Sequence, residues 1–324
     1  MRWRTWLRMA QIIGTIILIG LLLEEVRWAD LRALATNLRW GFVAMSATLM
    51  LIGHLVSVAR WQYLLQSPAA DYGSLLALYG AGLFSSNFLP TGFGGDGVRI
   101  SLLSRCVPLP QAIFSVALDR VSGLLALSAP FVAGLWFGLP PGLQLGSSRL
   151  AMILGAWKTL LTALLVVAEA GLLGLVVWRR LPKLRSRMLS AFTRFTSFGN
   201  TSQWTSRHWF RLLSGGYGFS VVSQLGVVAA HWAVIQALGI EVSPSVAIWL
   251  VLAGAVALLL PIAVNGLGLQ ENIYIMLLVH YKVPATTALG VALLIRILMV
   301  FCSLLGGLIS LRWDPRSLQS ADSL

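Results

Sequence analysis

Seven charged residues lie inside or beside apolar stretches of a chain that carries few charges elsewhere: Asp96, Arg99, Asp119, Arg120, Glu169, Glu271 and Arg296. A charge near a bilayer centre costs roughly 2.5–3.5 kcal/mol on insertion scales, so each must face a partner or water. Arginine stays charged, and its planar fork matches phosphate oxygens two at a time. Arg99, Arg120 and Arg296 are therefore candidate contacts for a phosphate-bearing head group. The carboxylates suggest a second reading. Arg120 follows Asp96 by 24 residues and Arg296 follows Glu271 by 25, so each couple can form a pair pinning a loop to the next helix. Asp119 is grouped with these pair-forming acids. The two readings are compatible, because a carboxylate can orient the arginine that binds. Glu169 either snorkels to an interface or couples to protons.

The first couple opens from an unusual stretch, Phe88-Leu89-Pro90-Thr91-Gly92-Phe93-Gly94-Gly95-Asp96. The second opens from Leu259-Leu260-Pro261-Ile262-Ala263-Val264-Asn265-Gly266-Leu267-Gly268, then Gln270-Glu271. Both read apolar helix, proline, small residues and glycine, then an acid heading another apolar segment. Pro90, Gly94, Gly95, Pro261, Gly266 and Gly268 are the expected hairpin-turn residues. Asn87 and Asn265 can cap backbone carbonyls freed at the breaks, with contact to a bound group as a second role. Tyr274, one turn past Glu271, either faces the same cavity or packs. His54 and His231 read as packing residues with satisfied nitrogens.

These residues need a scaffold, and composition names its class. Of 324 residues 57% are hydrophobic and 11% charged, with a mean hydropathy of +0.82; soluble domains carry about 25% charge. The chain is expected to be all-α, a polytopic helical membrane protein. Two distant cysteines and four scattered histidines provide no disulfide framework and no metal-ligand spacing. No metal and no cofactor are expected, and no Walker loop or nucleophile–base constellation is visible. The net charge of +13 is assigned to basic loops meeting anionic inner-leaflet lipid rather than to nucleic acid.

Apolar segments run over 7–23, 41–59, 75–90, 111–138, 151–178, 212–239, 245–264 and 285–311, with a short piece at 270–281. Arg2, Arg4 and Arg8 before the first resemble a signal peptide. No small-x-small cleavage site follows, so a retained helix is expected. Residues 179–211 carry eight Lys and Arg and no acid, which makes that loop cytoplasmic. Five plain crossings would put it outside. Treating 75–90 as re-entrant, returning through 91–105, restores agreement, and 245–281 then re-enters from the opposite face. The result is six full spans and two re-entrant hairpins in one domain over 1–324. Residues 41–138 and 212–311 form inverted repeats, and both termini are cytoplasmic. Such repeats place a site near the midplane on discontinuous helices. Segment 183–198 is either a basic amphipathic helix on the leaflet or an ordinary basic loop. Trp3, Trp6, Trp28, Trp40, Trp61, Trp178 and Trp313 fall at span ends and fit an aromatic belt.

"SNFLPTGFGGDGVRISLLSR" (86–105), "ALDRVSGLLAL" (117–127) and "LLLPIAVNGLGLQENIYIMLL" (258–278) resemble the membrane region of the lysylphosphatidylglycerol synthase family. This is the flippase-like domain also seen in YbhN-type inner-membrane proteins. Asp96, Arg99, Asp119, Arg120, Gly266, Gly268 and Glu271 occupy its motif positions, and Gln270 stands where many relatives have Arg. The resemblance implies a translocator of the bacterial inner membrane, moving an aminoacyl-phospholipid or a polyprenyl-phosphate lipid. In the synthase this domain adjoins a cytosolic transferase domain. Here the chain stops at Leu324, so the synthase activity is not carried over, and a separate transferase becomes an expected partner. A non-transporting scaffold that docks an enzyme through 179–211 is the alternative. A membrane-embedded transferase is the weakest reading.

Overall fold

The computed structural model describes residues 36–68, 70–87, 94–136, 206–259 and 266–311. The expected spans 7–23 and 151–178 lie outside the described residues. So do residues 179–205 of the basic loop with its segment 183–198, and Pro90, Asn265, Pro261 and Glu169; residues 206–211, expected in that loop, are helical. The described residues before Pro140 and after Arg211 belong to one compact unit. Among them every regular element is helical: α1 (Trp40–Leu65), α2 (Tyr72–Ser86), α3 (Gly94–Leu103), α4 (Leu109–Leu125), α5 (Ser128–Trp136), α6 (Ser206–Ala237), α7 (Ser245–Leu259), α8 (Leu269–His280) and α9 (Ala285–Leu311).

Length separates the helices into two kinds. Four stretches, Trp40–Leu65, Leu109–Phe131, Arg211–Ala237 and Ala285–Leu311, are long and apolar enough to cross a membrane. At 1.5 Å per residue, α2 and α7 reach only about 22 Å, short of a hydrocarbon core of about 30 Å. α3 and α8 are shorter still. The protein is an all-α polytopic membrane protein in which each pair of short helices stands between two long ones: α1, α2–α3, α4, and again α6, α7–α8, α9.

Local chemistry sets the boundaries. α2 starts at Asp71, whose carboxylate accepts from the Gly73 and Ser74 amides at 3.0 and 3.4 Å, which satisfies two of the free donors of a helix start. α8 starts after Gly266 and Gly268, whose φ of 68° and 82° favours glycine over residues with a side chain. The segment expected as one helix over 111–138 is interrupted between α4 and α5. Pro130 has no N–H for a helical bond, and the backbone instead closes tight turns there, Leu127 N to Leu124 O and Ala129 N to Ala126 O. α1 runs past the expected end of segment 41–59 to Leu65, for a reason found in the site.

Packing crosses between the two sets. One core joins Val58, Trp61, Leu75, Leu78, Leu103 and Val116 of α1 to α4. A second gathers α6 to α9 around Tyr274, Leu278 and Ile295, with Val43 and Met50 of α1. α2 makes its most extensive contact with α9, where two glycines meet. A Cβ on Gly80 would lie 2.8 Å from Gly306 C and Cα and closer still to its carbonyl oxygen, and one on Gly306 would lie 2.9 Å from Gly80 Cα. Small residues let helix backbones approach this closely in a membrane, where apolar burial supplies little driving force. Gly307 receives Phe84 beside them, and Ser303 Oγ donates to the Leu83 carbonyl at 3.4 Å. In the other direction α7 packs on α5.

Candidate functional site

The first acid-to-arginine couple closes as a two-pronged pair. Asp96 sits in the first turn of α3. It accepts from Arg120 Nε at 2.6 Å and Nη2 at 2.9 Å. Arg99, one turn along α3, reaches Asp96 at a long 3.5 Å and Asp119 of α4 at 3.0 Å. Asp119 also accepts from Arg60 Nε of α1 at 2.7 Å, and Arg60 Nη1 donates to Ser220 Oγ of α6 at 2.9 Å. The result is an alternating chain, Arg60–Asp119–Arg99–Asp96–Arg120, with three guanidinium groups against two carboxylates. The surplus is one positive charge.

Burial is uneven along that chain. Arg60, Asp119, Arg99 and Asp96 are all buried, whereas the Arg120 side chain is 51% exposed. Arg99 lies 4.0 Å from the Trp61 ring centroid and 4.9 Å from that of Tyr79, a stacking that suits a desolvated guanidinium. Its Nε has no hydrogen-bond partner among the described residues. α2 and α3 approach closely enough for this because Gly82 and Gly95 face each other. A Cβ on Gly82 would lie 2.6 Å from Arg99 Cγ, and one on Gly95 would lie 2.6 Å from Ser86 Oγ. Gly94 and Gly95, expected in the turn, open α3 itself.

The second couple closes at the head of α8. Arg296 Nε donates to Glu271 Oε1 at 2.5 Å, and Glu271 Oε2 accepts the Gly268 amide at 2.7 Å. Arg296 Nη2 donates to Gln270 Oε1 at 3.2 Å. Gln270 Nε2 donates to the Tyr274 hydroxyl at 2.8 Å, and that hydroxyl meets His231 Nε2 of α6 at 3.1 Å. This cluster is ionically neutral. Asp119 stands before Arg120 in the first set; Ile295 stands before Arg296 in the second. Arg99 lies three residues after Asp96, and Tyr274 lies three after Glu271. The crevice of α8 and α9 beside Arg296, lined by Gln270, Tyr274, Ala292 and Met299, is too narrow for a water molecule.

The structure thus brings Asp96, Arg99, Asp119 and Arg120 into one cluster, and Glu271, Arg296 and Tyr274 into another. Asn87 belongs to neither ionic chain. Its amide donates to Ser303 Oγ of α9 and its backbone N–H caps the end of α2. Arg60 escaped the sequence reading because it sits where an apolar segment ends and a snorkelling arginine is ordinary. α1 continues through it because Asp119 and Ser220 satisfy its guanidinium. Trp61 is corrected outright. It is 0% exposed and carries Arg99 on its ring, with Nε1 donating to Ser115 Oγ at 3.2 Å, so it is no belt residue. Trp40, exposed at the start of α1, remains compatible with one. His231 packs, as expected, but it also closes the second cluster. Its signal was being the one histidine in residues 212–237.

A family model described as the lysylphosphatidylglycerol synthase TM region matches residues 7–306. No curated protein and no solved structure gives a match.

Proposed function

The chain belongs to the lysylphosphatidylglycerol synthase TM region family, and from that membership and the geometry of Arg120 we propose that it translocates a phosphate-bearing lipid. The observation that carries this reading is an arginine, its side chain half exposed, in the middle of an apolar span. Arg120 lies eleven residues beyond Leu109 in the stretch Leu109–Phe131, about 17 Å along the helix axis. Asp96 holds Nε and Nη2 of its fork, and about half of the side-chain surface stays exposed. An arginine so placed is stabilised at that depth by an anionic head group or by water. Arg296 stands equally far into Ala285–Leu311, behind the closed crevice.

In this reading a lipid phosphate meets Arg120 while the acyl chains stay in the hydrocarbon. Relative movement of the two short-helix pairs then exposes the site to each leaflet in turn. The residues bind and orient; no bond is made or broken. The chain sits in a bacterial inner membrane with cytoplasmic termini, and its substrate is an aminoacyl-phospholipid or a polyprenyl-phosphate lipid. Purified protein in vesicles carrying head-group-labelled phosphatidylglycerol should exchange that lipid between leaflets. Arg120→Ala and Arg296→Ala should lower the rate at least tenfold, and undiminished exchange in both would refute the roles given to these arginines.

The eight Lys and Arg of 179–211 favour a second reading, a scaffold that docks an enzyme such as a separate transferase. Charge reversal in that loop should then abolish co-purification of the partner while Arg120→Ala leaves it intact.

A further inference from the structure

The hydrogen bonds of the second cluster can run in only one direction. Arg296 has no acceptor, so its Nη2 fixes Gln270 with Oε1 toward the arginine and Nε2 toward Tyr274. At the other end, His231 Nδ1 lies 2.8 Å from the Val227 carbonyl oxygen. A carbonyl only accepts, so Nδ1 carries the proton and Nε2 of the neutral ring is an acceptor. The Tyr274 hydroxyl, already receiving Gln270, must therefore donate to His231. The chain reads Arg296 to Gln270 to Tyr274 to His231 to the Val227 carbonyl, with a donor-only group at one end and an acceptor-only group at the other.

This chain also holds the crevice. Tyr274 and Gln270 press on Gly254 of α7, where an added Cβ would lie 2.9 Å from Gln270 Nε2 and closer still to the Tyr274 hydroxyl. Tyr274 and His231 are buried, with their rings edge to face at 5.9 Å. Four helices, α6 to α9, meet around one phenol. Parting α8 from α9 would carry Gln270 and Tyr274 away from Arg296 or from His231, leaving buried polar groups unsatisfied.

We propose that His231 is a positioning residue for Arg296: as the terminal acceptor of this one-way chain, it fixes Tyr274 and Gln270 and keeps the α8–α9 crevice shut. The proposal rests on the reading of Arg296 as a site residue, but its test needs no transport. Cys106 and Cys302 are replaced by alanine, Ala292 in the crevice wall becomes the reporter as Ala292→Cys, and the full chain in lipid nanodiscs is labelled with a small water-soluble maleimide. The parent should label slowly. His231→Leu, which removes the acceptor, should label at least tenfold faster, and so should Tyr274→Phe. His231→Gln should restore slow labelling, because its amide oxygen can accept from Tyr274 while its NH2 faces the Val227 carbonyl. A His231→Leu protein that labels like the parent overturns the proposal, and so does a His231→Gln protein that labels as fast as His231→Leu. If His231→Leu does not fold, Tyr274→Phe, which deletes one hydroxyl, decides alone: parent-like labelling refutes the latch. Loss of leaflet exchange without faster labelling would leave the transport reading standing and this one refuted.

Discussion

Replacing Asp119 with Asn removes the carboxylate that holds two guanidinium groups at once, Arg60 at 2.7 Å and Arg99 at 3.0 Å. The surplus charge of the first cluster rises from one to two: Arg60 loses its carboxylate, Arg99 keeps only the long contact to Asp96, and both cations are buried. With about 4 Å between charge centres and an effective dielectric of about 20, each pair contributes about 4 kcal/mol of attraction. Repulsion between the arginines and the cost of their desolvation reduce the sum. Breaking a buried pair typically destabilises by about 3–5 kcal/mol, and the Asn oxygen, still an acceptor, keeps the loss within that range. For a chain of this size, that corresponds to a fall in Tm of about 4–7 °C. The assay is thermal unfolding of the detergent-purified protein, followed by size-exclusion of the heated sample. Two companions make the reasoning specific. Asp96→Asn should lose less than half as much, because Arg99 keeps Asp119 and the half-exposed Arg120 can be hydrated. Arg60→Met combined with Asp119→Asn should be more stable than Asp119→Asn alone, since one stranded cation has been removed. Strict additivity of the Arg60 and Asp119 changes would refute the description of Asp119 as a shared hub.

Two further outcomes are expected. Gly80→Ala sets a methyl group against the Gly306 backbone, where neither side can yield as a flexible side chain would, and should cost about 1–3 kcal/mol by overpacking, read as a lower Tm. The Asp71 carboxyl lies outside the spans, and the Ser74 hydroxyl, with the Gly73 and Ser74 amides, holds it below its ordinary 3.8 against the opposing effect of burial. A carboxyl lowered in the folded state stabilises fully above its unfolded value and loses that contribution as pH falls through the folded value. Asp71→Asn, an equivalent helix cap, should match the parent at pH 7 and show a flatter Tm profile below about pH 4; because Asp71 is exposed, the effect should shrink in high salt. A profile as steep as the parent's would assign the acid sensitivity elsewhere.

How far the sequence could be read depended on the surroundings of each residue. Asp96 with Arg120 and Glu271 with Arg296 stood out because a charge in an apolar helix demands a partner and these spacings repeat. That α2 and α7 are short was legible from segment length and from the prolines that follow them. Arg60 and Trp61 were not, since an arginine followed by a tryptophan at the end of an apolar run is what a membrane interface also selects. Only their distance to Asp119 and Arg99, contributed by helices 38 or more residues away, separates the two cases. The Gly80–Gly306 contact was equally hidden, because glycine is common in membrane helices and nothing local marks which one faces a neighbour. The direction of the chain from Arg296 to His231 needed atomic positions at both ends.

The glycine contact has a mechanical consequence. α2, the outer arm of the first short-helix pair, is seated on α9, and α9 carries Arg296. The matching arm of the second pair, α7, is seated on α5, which continues the helix that carries Arg120. Each half therefore packs on the helix that carries the other's paired arginine, or on its continuation, like two scissor blades sharing a pivot. In the translocation reading proposed above, a displacement of one pair would press on the opposite arginine's helix, and neither half would work alone.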